Sequence, residues 1–448
     1  MAMNPEASPL TQKLPTRSYA SMMIMALPII IANASVPLLG VCDTAVVARL
    51  QNTEALAAVA VGSSLYFFVL WTFGFLRMTT SGLTGQAVGA QSLHEPYLIL
   101  FRALLLALGI GLILAALGTI FLGELGLNMM GAEENVISLG RLYLDILFWA
   151  APGQLIVYVI HGWLLGHGMS WMMFLIHLGI GLVNLGLNIL FTLIWGMGVA
   201  GVGLATVTSS SLGACVGLLL VVNIARKRGY HFDRNRLWKL SEIAPLATLN
   251  SHVMIRTILL IASFAAFHAL SARFGAVVLA AHAVLLHFIE VAAFAVDGIS
   301  DVVESYAARF WGARKKAYAR ESLGRGLLLA GLFSIAISFA YLLVGFDLIL
   351  LIAPLDDVLL LTNQLAWFAF FTPIMGFACY VLDGYFLGLT KGRTIRNSMF
   401  MASTGYGLVL LALYPWAGPQ GLWVALWCLL ILRALTLGFV ATFRHPTP

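Results

Sequence analysis

Apolar stretches long enough to cross a bilayer follow one another along almost the whole of this sequence. That pattern excludes most folds before any motif is read. A spanning helix needs about 20 mostly apolar residues. Twelve such stretches can be laid down, at 19–48, 56–80, 97–122, 138–165, 171–195, 199–225, 247–273, 278–306, 322–346, 359–388, 397–416 and 420–443. They leave no room for a soluble domain. In hydrocarbon each backbone polar group must be satisfied internally, which makes these runs helices. The expected fold class is an all-α membrane protein with twelve transmembrane helices. Only 10% of the residues are charged, whereas soluble domains carry roughly a quarter.

The connecting segments alternate in charge. Arg226, Lys227, Arg228, Arg234, Arg236 and Lys239 follow helix 6; Arg309, Arg314, Lys315, Lys316 and Arg320 follow helix 8; Lys391, Arg393 and Arg396 follow helix 10. Glu124, Glu133 and Glu134 follow helix 3, and Asp347, Asp356 and Asp357 follow helix 9. Lys and Arg are retained on the cytoplasmic side. A multi-pass inner-membrane protein of bacterial type is expected, with both termini cytoplasmic; an even helix count requires the termini to share a side, in agreement. The net charge of +6 then reflects basic loops and not a nucleic-acid partner. Residues 1–18 read as a polar tail without the apolar core of a signal peptide. Cys42, Cys215, Cys379 and Cys428 lie far apart in apolar runs, which fits neither a disulfide framework nor a metal site.

The two halves repeat each other. LAAVAV at Leu56 answers LAAHAV at Leu279; GAQ at Gly89 answers GAR at Gly312; GWLLG at Gly162 answers GYFLG at Gly384; GVAGVGLA at Gly198 answers GPQGLWVA at Gly418. The shared order and near-constant offset mark an internal duplication. The expected organisation is a tail at 1–18, a first lobe at 19–225, a linker at 226–246, a second lobe at 247–443 and a tail at 444–448. Six helices per half make parallel repeats, an arrangement of transporters that work by alternating access.

Ionisable groups inside these helices are the candidate functional residues, because burying a charge in a membrane costs about 2.5–3.5 kcal/mol on insertion scales. Asp43 is the one acid in PIIIANASVPLLGVCDTAVVARL, with no basic residue within a turn. Desolvation favours the neutral form of a carboxyl, so a group placed there is suited to taking up a proton. Asn33 shares its helix. Asn184 and Asn188, four apart, share a face of helix 5 and are expected either to line the same cavity or to bond between helices. Pro28 and Pro37 each remove a helix hydrogen bond, giving a static bend or a hinge. The second half carries Glu290, Asp297, Asp301, Glu304 and Asp383, with Arg256 on helix 7. A buried pair of Arg256 with Asp297 or Asp383 is expected, with a second ion site as the rival reading. Asp301 and Glu304 approach the basic helix end and are expected to be solvated.

Other signals carry less. Gly196-Met-Gly198-Val-Ala-Gly201 fits a nucleotide fingerprint in letters but follows no strand. No Walker A, G-x-S-x-G or H-E-x-x-H motif is present, which argues against an ATP-driven pump or a membrane-embedded enzyme. His161, His177, His252, His268, His282 and His287, scattered in apolar helices, are read as packed histidines and not as a proton relay.

With these stretches in view, LPIIIANASVPLLGVCDTAVVARL, LAAVAVGSSLYFFVLWTFGFLRMTTSGLTGQAVGA, FAVDGISDVVESYAARFWGAR and CYVLDGYFLGLTKGRTIRNSM, the chain resembles the multidrug and toxic compound extrusion (MATE) family in its DinF-like branch, over about 19–443. The resemblance implies two six-helix lobes and export of cationic or amphipathic drugs in exchange for protons or sodium. It places the coupling acid on Asp43 and the bending helix-1 proline on Pro28. The polar helix-5 pair, usually Asn then Asp, falls on Asn184 and Asn188, and a helix-6 threonine on Thr206. An Asn at 188 removes one protonatable partner, leaving Asp43 as the chief candidate. The expected protein is a monomeric, cofactor-free proton antiporter whose partners are the bilayer and its drugs. Sodium coupling through Asp297 and Asp383, or export of a lipid-linked precursor on the same fold, are the alternatives.

Overall fold

The computed structural model describes residues 14–123, 127, 134–229, 234–237, 239–353 and 355–443; the side chains of 35–44, 122, 234, 235, 240–242, 245 and 415 lie outside that description. Among the described residues every regular element is helical. The helices are α1 (Tyr19–Ala48), α2 (Thr53–Gly89, with a turn after Thr72), α3 (Glu95–Leu117), α4 (Glu134–Gly166), α5 (Ser170–Asn188), α6 (Gly198–Lys227), α7 (Leu240–Arg273), α8 (Ala276–Gly312), α9 (Lys316–Ile352) and α10 (Asp356–Gly388). A last helical stretch, Gly392–Phe443, is broken at Gly418, where φ 54° and ψ −142° are non-helical. It therefore counts as α11 (392–417) and α12 (419–443). Ten spans are long and apolar enough to cross a membrane over their described residues. With α1 and α11 the twelve expected helices are all present.

The helix ends follow ordinary chemistry. Asn52 caps α2, its side chain accepting from the Ala55 backbone N–H at 3.0 Å, as N-cap asparagines do. Single π-helical turns extend α3 (Gly118–Leu122) and α5 (Ile189–Ile194). α8 and α9 run further than the apolar pattern alone indicates, because the amphipathic ends around Arg309 and Arg320 remain helical.

The helices pack into two compact units, one of Ile31–Leu246 and one of Pro15–Ile30 with Ala247–Pro448 among the described residues. The division falls inside α1. Its first turns join the second unit, although the expected lobe boundary puts the whole helix in the first.

Each unit is built round one buried helix. In the first unit every residue of α4 from Val159 to Gly166 is buried, and in the second the same holds for α10 from Val381 to Gly388. The repeated G-x-x-x-G explains how other backbones come so close. A Cβ on Gly162 would lie 2.3 Å from the Arg77 carbonyl oxygen, and one on Gly166 would lie 2.8 Å from that of Ser81. In the second unit Gly384 faces the Ser300 carbonyl at 2.5 Å and Gly388 that of Glu304 at 2.4 Å. Small residues let membrane helices approach in this way. The partners Arg77 and Ser300, like Ser81 and Glu304, stand at the sequence repeat's own offset. The duplication read from letters is thus a duplication of packing.

Candidate coupling and substrate site

In the first unit, α5 and α6 bring the expected polar residues together. Asn184 donates from Nδ2 to Thr206 Oγ1 and to Ser209 Oγ, each at 3.3 Å, and accepts from Asn188 Nδ2 at 3.2 Å. Thr206 and Ser209 also donate back to carbonyls of their own helix, at Val202 and Thr206. Asn184 and Asn188 are buried. The cluster contains amides and hydroxyls, so it can accept and donate hydrogen bonds but holds no fixed charge. Directly after Asn188 the helix widens into its π turn, where the Trp195 N–H bonds the Leu190 carbonyl at 2.9 Å. Such turns often occur at functional positions. Nothing in the apolar run of helix 5 signals it.

α1 carries Pro28, Asn33 and Asp43. Pro28 is buried and Asn33 half-buried. The backbone is helical through Pro28 and through Asp43, while the side chains of Asp43, Pro37 and Cys42 lie outside the described residues. The first turns of α1 are held to the second unit by a series of polar contacts. Arg17 bonds Glu321 at 2.9 Å and lies over the Tyr318 ring at 4.1 Å; Glu321 also pairs with Arg325 at 2.5 Å, and Arg325 lies over Tyr19 at 5.3 Å. Ser21 and Tyr306 share a 2.8 Å hydrogen bond. Further along, a Cβ on Gly298 would meet the Ile30 backbone N at 3.1 Å.

The second unit holds a buried charge cluster. Asp383 on α10 accepts from Arg256 on α7 and from Arg433 on α12, both through the same oxygen, Oδ2. Arg433 is 1% exposed. Of the two pairings expected for Arg256, the one with Asp383 is present. Arg433 was missed. Its only sequence signal is that it is the one ionisable residue inside the last apolar run, which by itself marks a membrane residue for attention. Two expectations are corrected. Asp301 and Glu304 are not solvated: they are 6% and 1% exposed, because α8 stays packed against α10 right through the Gly388 contact. Glu290 takes no part in the cluster. It faces outward and pairs with His287 at 3.2 Å on the exposed side of α8.

Twelve apolar helices, built from two like-packed halves with polar groups buried at mid-helix, define a membrane transporter of the repeat-built class. The comparisons narrow this. The MatE family model matches residues 28–190 and 253–413, and the chain belongs to that family of transporters. It is 35% identical over 425 residues to the DNA damage-inducible protein F of Escherichia coli K12, covering 95% of this chain and 92% of that one. It is 24% identical over 438 residues to the chloroplastic Protein DETOXIFICATION 44 of Arabidopsis thaliana, covering 92% and 80%. Among solved structures, an outward-facing multidrug resistance MATE transporter of the MOP superfamily aligns with TM-score 0.85 at 16% identity, covering 99% of this chain and 98% of that one. The bent form of the Vibrio cholerae MATE transporter VcmN aligns with TM-score 0.83 at 17% identity, covering 94% and 96%. These structural likenesses speak for the fold.

Proposed function

We propose that this protein exports cationic or amphipathic drugs in exchange for protons, with Asp43 as the coupling group. The observation that carries the choice of ion is the state of Asp383. A sodium site there would have to compete with two guanidinium groups for one carboxylate oxygen. In the first unit the helix-5 pair consists of amides, which do not titrate in the physiological range. The titratable role then falls to the acid on α1.

The cycle follows from charge and hydration. Ionised Asp43 keeps the first-lobe cavity wet and attracts a cation, with Asn33, Asn184, Asn188 and Thr206 supplying hydrogen bonds to the substrate. A proton from outside neutralises Asp43. The desolvation cost falls, α1 bends near Pro28, and the cavity closes and expels the drug outward. Pro28 is suited to this because it lacks the N–H that would hold the preceding turn, and because α1 changes compact unit at Ile30–Ile31. Each proton returning through 100 mV, negative inside, supplies about 2.3 kcal/mol. In this reading the protein works as a monomer in a bacterial inner membrane, with both termini cytoplasmic, and needs no cofactor.

Proteoliposomes loaded with drug, given a proton gradient or a sodium gradient separately, test the coupling. Transport under the proton gradient alone is expected, and its loss in Asp43→Asn. Drug transport that runs on sodium alone, or survives Asp43→Asn at equal protein level, refutes the proposal.

A further inference from the structure

The histidines read as inert packing do not behave alike in the structure. His161 on α4 and His177 on α5 face each other, with ring centroids 6.1 Å apart. The Nε2 atoms of both are buried with no hydrogen-bond partner among the described residues. Leaving two such atoms unmet is costly, so the pair calls for an explanation. Metal binding is a poor one: among the described residues no group of three or more His, Cys, Asp or Glu is assembled.

The pair lies on a longer polar seam. Above it, toward Asn184 and Ser209, Ser210 on α6 donates to Gln154 Oε1 at 3.4 Å. Gln154, Tyr158 and His161 lie at i, i+4 and i+7, on one face of α4. His177 lies seven residues before Asn184, two turns along the same face of α5. Below it, α2 presents Thr80, Ser81 and Thr84, whose hydroxyls are buried and unbonded among the described residues. These meet α4 at the Gly162 and Gly166 contacts. Polar side chains thus recur between the Asn188 cluster and the last turns of α2 and α4. The second unit differs at the matching place: the residue before Gly384 is Asp383, held in its arginine cluster, whereas the residue before Gly162 is His161.

We propose that this seam is the inward proton-release route of the transporter, with His161 and His177 as its relay. The inference rests on the proton-coupled reading above and adds the path to it. An imidazole takes a proton on one nitrogen and gives one up from the other, so no net charge need remain. The spacing of the two rings suits transfer through a single water. The hydroxyls of Thr80, Ser81 and Thr84 continue the line toward the last turns of α2 and α4. The charged group that faces the pair is Arg77 from α2, besides the two histidines themselves.

The test uses the full-length protein in liposomes carrying an internal pH dye, with the fluorescent cation ethidium as substrate. Internal acidification and ethidium binding are measured for wild type, Asp43→Asn, His177→Gln, Thr84→Val and the double variant His161→Gln/His177→Gln. The double variant is expected to bind ethidium as wild type does and to slow acidification by about a hundredfold or more, the lower range of loss when a proton-transfer group is removed. The rate should also lose its dependence on internal pH. A purely structural role would change binding and leave that dependence in place. If the double variant fails to bind ethidium, His177→Gln and Thr84→Val decide by the same readouts. Wild-type acidification rates in the variants, with Asp43→Asn silent, overturn this inference alone. A wild type that moves no protons overturns the coupling reading and this route with it.

Discussion

Consider the removal of Asp383. Its carboxylate is the shared partner of Arg256 and Arg433, which are 7% and 1% exposed. Asp383→Ala leaves two guanidinium groups buried without their counter-ion. Breaking a buried pair in this way costs about 3–5 kcal/mol, or roughly two to four orders of magnitude in the folding equilibrium. Arg433→Met is a different perturbation. Asp383 keeps Arg256, so only one charged hydrogen bond is lost, at about 1.5–3 kcal/mol. The triple replacement Asp383→Leu, Arg256→Met and Arg433→Met removes the charges together and is expected to be neutral or stabilising by about 1–4 kcal/mol, since apolar side chains need no desolvation. Reversible unfolding in lipid bicelles by steric trapping gives these free energies directly. The expected order is Asp383→Ala least stable, then Arg433→Met, then the triple variant at or above wild type. An Asp383→Ala protein no less stable than Arg433→Met would refute the account of a carboxylate serving two cations.

Other outcomes follow from single contacts. Gly162→Ala and Gly384→Ala place a methyl 2.3 Å and 2.5 Å from a neighbouring carbonyl oxygen, so each should cost about 1–3 kcal/mol, and alike, as read by thermal melting in detergent. Gly324→Ala on α9 meets nothing within 4 Å and should stabilise by up to about 1 kcal/mol through helix propensity in the same assay. Asn184→Ala removes three hydrogen bonds, each worth about 0.6 kcal/mol in a membrane helix. The expected loss near 2 kcal/mol, with weakened drug binding, is checked by melting and equilibrium dye titration. Arg17→Ala breaks a solvent-exposed contact with Glu321 and should change stability by less than about 1 kcal/mol.

The sequence made the architecture legible because each of its signals is local or periodic. Apolar run length marked the helices, and the offset between GWLLG and GYFLG located the same backbone contact in both halves. The α5 pair was legible for the same reason, since residues four apart must share a face. What stayed hidden depends on which helices meet. Arg256, Asp383 and Arg433 come from three helices far apart in the chain, so no spacing rule links them. His161 and His177 are sixteen residues and a hairpin apart, and each alone resembles a packed core residue. Asp301 and Glu304 were misjudged because nearness to basic loop residues says little about depth when α8 and α10 stay packed to their ends.

The divided membership of α1 has a consequence for how the chain is made. Arg17 and Ser21 find their partners at Glu321 and Tyr306, residues synthesised some 300 positions later. At about 5–20 residues per second, the start of the first helix waits roughly 15 to 60 s for the surface it packs on. Its apolar residues spend that interval against lipid or the insertion machinery. The second unit therefore completes its packing with a segment made before the first unit, and separately expressed halves should assemble better when Pro15–Ile30 travels with the second.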